Sequence, residues 1–146
     1  MREESRSSVP QQGASRPEIR FRNEAGNLRK ELLTDDAIRY AELFKKPDGD
    51  AALTNHQIRR FYNEVKALEA KIEATSFEQN EALVHMLRAK VAYAKNKPAG
   101  KVPSVFKDFI DNCVKEINKA GDKEQAFQDF ALFFEAVMGF ADLRER

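Results

Sequence analysis

Residues 54–96 read TNHQIRRFYNEVKALEAKIEATSFEQNEALVHMLRAKVAYAKN, and this stretch decides the fold. It contains two helix-start signals, at residues 54–57 and 76–79, in which a threonine or serine is followed three residues later by a glutamine. Apolar residues recur at helical spacing behind each signal. We therefore predict one helix over residues 54–74 and a second over residues 77–96. The turn between them is so short that the two helices must run antiparallel.

The apolar stripes of these two helices define their expected buried faces. On the first helix the stripe consists of Ile58, Phe61, Tyr62, Val65, Leu68 and Ile72. On the second helix it consists of Leu83, Met86, Leu87, Val91 and Ala94. Lys90 lies at the edge of the second stripe, so we expect its alkyl stem to rest on the core while its ammonium group points in a restricted direction.

Two further long helices are predicted on the C-terminal side. The sequence KPAG at residues 97–100 ends the second helix, and Pro103 suits the first turn of the next one, whose apolar stripe runs over residues 105–117. Asp122 starts the last helix with a third capping signal. The apolar residues of this helix are Phe127, Phe130, Phe133, Phe134, Val137, Met138 and Phe140. They cover about half of the circumference, so the helix is either central in a bundle or also a protein–protein surface.

The N-terminal side carries weaker signals. Apolar residues recur at helical spacing between residues 34 and 46, which predicts a short helix with Thr34 or Asp35 as its N-cap. Residues 1–30 are rich in Ser, Arg, Gln, Gly, Pro and Glu and have almost no apolar spacing, so we predict a disordered arm. A single helical domain is expected over residues 31–146.

Composition narrows the fold and the function classes. The chain has 146 residues, enough for one core, and we predict an all-α fold: a compact bundle of about five helices, with four long helices from Thr54 onward. One cysteine excludes a disulfide framework or a cysteine-based zinc site within one chain. No apolar run approaches the roughly 18 residues of a membrane span, and no signal-peptide core is visible. We expect a cytoplasmic protein without a membrane partner.

The residue types that carry catalysis are not grouped in the sequence. His56 and His85 have no metal-ligand spacing around them and are expected on the surface. Cys113 lies on an apolar stripe and is expected in the core. Glu135 lies among aromatic residues in FFEAVMGF, so we expect it to meet a cation or a helix-end amide. We therefore predict no enzyme activity and no catalytic, cofactor-binding or metal-binding residues.

Positive charge is local, since the net formal charge is only +1. Residues 82–107 contain six lysines and arginines and no Asp or Glu. These cations lack ion-pair partners nearby in sequence and remain available to an external anion. The alternative is a solvated helix end favoured by the helix dipole. The predicted RNA-binding residues are Arg59, Arg88, Lys90, Lys95 and Lys97.

The choice of Arg59 depends on a neighbouring residue. Arg59 is chosen over Arg60 because Glu64, four residues after Arg60, is expected to neutralise it. Tyr93 either offers an aromatic surface beside the cations or is a half-buried core residue. A ridge of this kind suits contact with a phosphate backbone without readout of bases, which makes binding independent of sequence and sensitive to salt.

Three segments resemble, in order and spacing, the small helical subunit of type III-A CRISPR-Cas effector complexes, the Csm complex. They are TNHQIRRFYNEVKALEAKI, LVHMLRAKVAYAKNK and AFQDFALFFEAVMGF. The positions that match the family pattern are Ile58, Arg59, Phe61 and Tyr62, then Lys90, Tyr93 and Ala94, then Phe130, Phe134, Glu135 and Ala136. Lys97 stands where the family often has arginine, and Phe140 where it often has tyrosine, so a bidentate fork and a hydroxyl are absent here.

The resemblance implies a non-catalytic subunit, without a cofactor, that stacks head to tail along the crRNA-bearing subunits. The implied partners are the other subunits of the complex, further copies of this chain, and crRNA-guided target RNA or its guide–target duplex. Two alternatives come from the residues alone. One is a homodimeric adaptor that binds protein through its phenylalanine-rich last helix. The other is a helix-turn-helix DNA binder, disfavoured because Glu78 and Glu81 lie where base contacts belong.

Overall fold

Helices form nearly all of the regular structure. The computed structural model describes residues 16–47 and 51–144. A π-helical turn, Leu32–Asp36, leads into five α-helices: α1 (Ala37–Lys45), α2 (Asn55–Ala74), α3 (Phe77–Asn96), α4 (Ser104–Lys119) and α5 (Lys123–Arg144). An isolated β-bridge joins Arg22 and Leu28. The prediction of an all-α bundle with four long helices in its C-terminal part is confirmed.

Helix α5 is the centre of the bundle and packs against α1, α2 and α4. Four of its five phenylalanines, at positions 127, 130, 133 and 134, are completely buried, and Phe140 is partly buried. Phe109 of α4 joins them to α1, with ring centroids 5.2 Å from Phe133 and 5.1 Å from Phe44. The wide apolar arc therefore belongs to a central helix. The phenylalanines that the adaptor hypothesis needs on the surface are inside the core.

Side-chain caps fix the antiparallel pair α2 and α3. The predicted capping box of α2 is confirmed: the Thr54 hydroxyl oxygen accepts from the Gln57 amide at 3.1 Å, and Gln57 Oε1 accepts from the Thr54 amide at 3.0 Å. At the start of α3, Ser76 accepts from the amide of residue 79 at 3.2 Å. The buried Asn80 donates to the Thr75 hydroxyl and to the Ser76 carbonyl, both at 2.8 Å, and so holds the turn between the helices.

Helix α3 lies at the side of the bundle, against α2 and α4. Its buried apolar stripe is Val84, Leu87, Val91 and Ala94 together with Phe77. The expected burial of Leu83 and Met86 is wrong, since 43% and 47% of their surfaces are exposed. Each lies one residue before a stripe position and hence 100° around the helix, beyond the width that its two neighbouring helices cover.

The first helix begins earlier than its capping signals suggest. Helical structure starts at residue 30 and passes through the π-helical turn before α1, so Asp36 already has helical backbone angles and makes no capping hydrogen bond. The Thr34 hydroxyl donates to the Lys30 carbonyl at 2.9 Å instead of accepting an amide. The expected N-cap at Thr34 or Asp35 is therefore wrong.

Residues 16–30, which we call the N-terminal strap, pack onto the helices. Ile19 and Phe21 are buried in the core, and the Tyr40 hydroxyl donates to the Pro17 carbonyl at 2.6 Å. The expectation of disorder does not hold for this part of the predicted arm, because two alternating apolar residues and a distant charged partner hold it in place. Residues 1–15 of that arm lie outside the described residues.

The distant charged partner of the strap is Asp129 on α5. Arg22 donates to its two carboxylate oxygens, from Nε at 2.8 Å and from Nη2 at 2.9 Å. The Asp129 side chain is only 3% exposed, whereas that of Arg22 is 36% exposed. A buried carboxylate that loses its cation is costly, because little else solvates it. The ion pair thus ties the strap to the central helix.

We predict that Arg22→Ala lowers the free energy of unfolding by about 2 kcal/mol, less than for a fully buried pair because Arg22 is partly solvated. Urea denaturation measures the change. Arg20→Ala is the matched control, since Arg20 is an exposed arginine of the same strap. Equal losses in the two variants would show that the ion pair does not hold the strap.

A second ion-pair group joins α3 to α4. Asp111, with a side chain 13% exposed, accepts from Arg88 Nε at 3.1 Å and from Lys107 Nζ at 2.8 Å. Burial raises the pKa of the Asp111 carboxyl, but the hydrogen bonds and charges of Lys107 and Arg88 outweigh burial, so the pKa lies below its usual value. The ionised carboxylate therefore stabilises the packing of these helices.

Asp111→Asn keeps the shape of the side chain and removes its charge. Because the folded pKa is lowered, the carboxylate contributes stability that is present above the ordinary pKa of about 3.9 and is lost as the pH falls through the folded value. We expect the difference in unfolding free energy between the two proteins to be steady from about pH 7 to about pH 5 and to shrink below about pH 4. Urea denaturation across this range tests it, and a pH-independent difference would contradict the assignment.

Candidate nucleic-acid interface

A groove of about 360 Å³ runs between the first half of α2 and the second half of α3. The residues that line it are Gln57, Arg60, Phe61, Glu64, Met86, Ala89, Lys90, Tyr93, Ala94, Lys97, Gly100 and Val102. It exists because α3 packs mainly through its Val84 to Ala94 stripe, which leaves the neighbouring flank of α3 uncovered. The groove combines a partly apolar lining with charged groups.

The loop after α3 is held against the groove by two hydrogen bonds. Gln57 Nε2 donates to the Gly100 carbonyl at 2.8 Å, and the Val102 amide donates to the Ala94 carbonyl at 3.4 Å. Gly100 has a φ of +68°, a left-handed conformation in which residues with a side chain are strained. This glycine therefore lets the loop turn back and form one end of the groove.

Cations outnumber carboxylates in the groove. Lys90 Nζ lies 2.7 Å from Glu64 Oε1, and the two side chains are 49% and 41% exposed. Arg60 and Lys97 line the same groove and make no salt bridge within the described part of the chain. Since the pair of Lys90 and Glu64 is neutral as a unit, the groove carries the excess positive charge of Arg60 and Lys97.

The predicted cations of α3 lie on two flanks instead of one ridge. Lys90 and Lys97, seven residues apart, both line the groove facing α2. Arg88 and Lys95 have the same spacing but lie on the flank towards α4, where Arg88 binds Asp111. Residues 88 and 90 are 200° apart around a helix, so a single ridge is geometrically impossible.

The expectation that the α3 cations lack acidic partners is also wrong. The block of residues 82–107 has no acid in its own sequence, yet Lys90 meets Glu64 of α2 and Arg88 meets Asp111 of α4. Sequence separations of 26 and 23 residues hide these pairs from any rule based on helical spacing. Proximity along the chain is therefore a poor guide to which cations are neutralised.

The sequence predicts that Arg59 lacks a partner and that Arg60 is neutralised, and the described part of the structure shows the reverse. Arg59 does not line the groove and has an interaction partner of its own, so it is not the unpaired residue. Glu64 pairs with Lys90, which leaves Arg60 in the groove. A helical-wheel plot of α2 could have indicated that Arg60 faces the groove, because residues 57, 60 and 64 lie on one face of α2 beside α3.

Tyr93 is a surface residue, with 73% of its area exposed at the groove. Its interpretation as a half-buried core aromatic is wrong. Lys90 lies three residues before it and Lys97 four residues after it on the same flank of α3. An exposed aromatic ring is thus set between two lysines.

The two histidines and the cysteine, which are the candidates for catalysis or metal binding, lie where the sequence predicts. His56 and His85 are exposed, and His85 Nε2 lies 3.9 Å from Glu81 Oε2. Cys113 is completely buried, and burial raises the pKa of its thiol, as suits a core residue. Among the described residues no group of three or more His, Cys, Asp or Glu is arranged to hold a metal ion.

Glu135 lies on the outer face of α5 and is exposed. The pKa of Tyr62 on α2 is raised by burial and by the charge of the nearby Glu135 carboxylate. Glu135 also interacts electrostatically with Lys66. Lys66 forms its salt bridge with Glu69, so the expected cation acts on Glu135 only electrostatically, and exposure to solvent removes the cost of burying this carboxylate.

Helices in the described ranges offer no segment long and apolar enough to cross a bilayer. Comparison with known proteins gives a family assignment. The family model described as Csm2 Type III-A matches residues 28–142, about four fifths of the chain. No curated protein and no solved structure gives a significant match. The matched range includes α1 to α4, nearly all of α5, and every residue of the groove. The chain therefore belongs to the Csm2 family, the small subunit of type III-A Csm complexes.

Proposed function

We propose that this protein is a non-catalytic subunit of a type III-A CRISPR-Cas ribonucleoprotein that contacts phosphates of the target RNA or of the guide–target duplex through the α2–α3 groove. The observation that carries the proposal is the excess of cations in this groove, with Arg60 and Lys97 outside any salt bridge of the described residues. Phosphate oxygens are the ligands that such unneutralised cations prefer.

Contact of this kind is independent of nucleotide sequence. Lysine is a point charge on a flexible stem and carries no fixed hydrogen-bond pattern for a base edge. The cations therefore hold the RNA backbone while base pairing with the guide selects the target. A subunit that reads no sequence serves every guide equally well.

The proposed partners are the other subunits of the complex, further copies of this chain, and crRNA-guided target RNA. A net formal charge of +1 gives a single copy little general attraction for RNA. Copies that stack along the complex align their grooves on one strand, and linked weak contacts then add up to useful affinity. No step in this role needs a cofactor.

We predict that the double substitution Lys90→Ala and Lys97→Ala weakens target-RNA binding by the assembled complex. Lys97→Ala removes a phosphate contact, which is worth about 0.7 to 0.9 in the slope of log affinity against log salt concentration, and Lys90→Ala leaves the Glu64 carboxylate unneutralised in the groove. The slope should therefore become shallower by roughly one to two. A filter-binding titration at several salt concentrations measures both quantities.

The matched control is Lys115→Ala with Lys119→Ala on α4. Each pair of lysines contains one that forms a salt bridge, Lys90 with Glu64 and Lys119 with Glu116, and one that does not in the described part of the chain. Both double variants lose the same charge. Equal affinity and slope in the groove variant and the control would rule out the groove as the RNA contact.

A further inference from the structure

We propose that the α2–α3 groove is a nucleotide site: an unpaired base of the bound RNA enters it and stacks on Tyr93, while its phosphates meet Arg60 and Lys97. This inference rests on the proposed function, which requires only backbone contact, and adds the recognition of a base. It assigns the groove a single-stranded nucleotide as its ligand.

The first argument is the exposure of Tyr93. Tyr93 as a whole residue is 73% exposed, although an aromatic side chain is stabilised by burial. Proteins that bind single strands place exposed aromatic rings beside cations, because every base has a flat π-face that stacks on them. Tyr93 lies between Lys90 and Lys97 on one flank of α3, which is this arrangement on a helix.

The second argument is the length of the groove between its two polar bridges. Gln57 binds the Gly100 carbonyl at one bridge, and Glu64 binds Lys90 at the other. Glu64 lies seven positions after Gln57 on α2, so the two bridges are about 10 Å apart along the helix. A partner helix with side chains is about 10–12 Å wide and would have to displace both bridges to lie along the groove. A single planar base with its sugar fits between them.

The third argument is the chemistry of the lining. Phe61, Met86 and Ala89 supply accessible apolar surface in the groove, and Arg60 and Lys97 supply charge beside it. Apolar surface suits the face of a base, and the cations suit the phosphates that flank it. An acidic partner would match only the cations of the groove, and a purely apolar partner would match only its apolar lining.

The test compares substitutions of Tyr93 in the assembled complex, with target-RNA affinity, its salt dependence, and complex assembly by size-exclusion chromatography as readouts. Because Tyr93 is exposed, its replacement leaves the core intact. We expect Tyr93→Ala and Tyr93→Leu each to weaken RNA binding at least fivefold without changing the salt slope or assembly. Tyr93→Phe keeps the ring and should bind as the unmodified protein does.

A target RNA with one abasic nucleotide, placed at each position in turn, identifies the base. At a position that uses the groove, the abasic RNA should bind more weakly to the unmodified complex, while the same RNA should cost the Tyr93→Ala complex almost nothing further. Such non-additivity marks direct contact between the two changed groups.

Four results would overturn the inference. If Tyr93→Ala binds RNA normally while the Lys90 and Lys97 double variant binds weakly, the proposed function stands and the base site does not. If Tyr93→Leu retains full affinity, aromatic stacking does not contribute to RNA binding. If Tyr93→Ala disrupts assembly, the groove docks a protein segment. If the abasic and Tyr93→Ala effects are additive at every position, no base stacks on this ring.

Discussion

The constraint on which the structure depends is the wide apolar arc of α5. Four completely buried phenylalanines cannot be covered by one neighbour, so α1, α2 and α4 all pack against this helix. Helix α3 is then left to pack on the sides of α2 and α4. A helix in that position buries a narrow stripe and leaves both flanks accessible. The location of the groove therefore follows from the composition of a helix that does not contribute to it.

Local signals in the sequence predicted the helices well. The Thr54 capping box, the turn at Ser76 and the break after Asn96 are read from residues within four positions of one another, and the structure places α2 and α3 as expected. The wide apolar arc of α5 is compatible with a central helix or with a protein–protein surface, and only the packing of the helices distinguishes the two. Sequence patterns are sufficient to predict helix starts and ends because these depend on interactions between residues close together in the chain.

Contacts between distant residues account for the errors. Arg22 meets Asp129 across 107 positions, and this pair orders a strap whose composition resembles disorder. Glu64 reaches Lys90 on the next helix instead of Arg60 on its own, which changes the residue that carries free charge. The sequence does not show where α2 and α4 lie around α3, so it does not distinguish the flank of Lys90 and Lys97 from that of Arg88 and Lys95. Which carboxylate neutralises which cation therefore depends on proximity in the folded structure and not on helical spacing.

The central position of α5 has a consequence for biosynthesis. Proteins are made from the N-terminus, so α1, α2 and α4 leave the ribosome before the helix around which they pack. The ion pair that holds the strap also forms only after Asp129 is made, 107 residues after Arg22. Contacts so distant in sequence form late, because closing a long loop costs entropy before any contact compensates it. The nascent chain thus exposes apolar faces until α5 emerges, and assembly into a larger complex cannot begin on a finished surface before then.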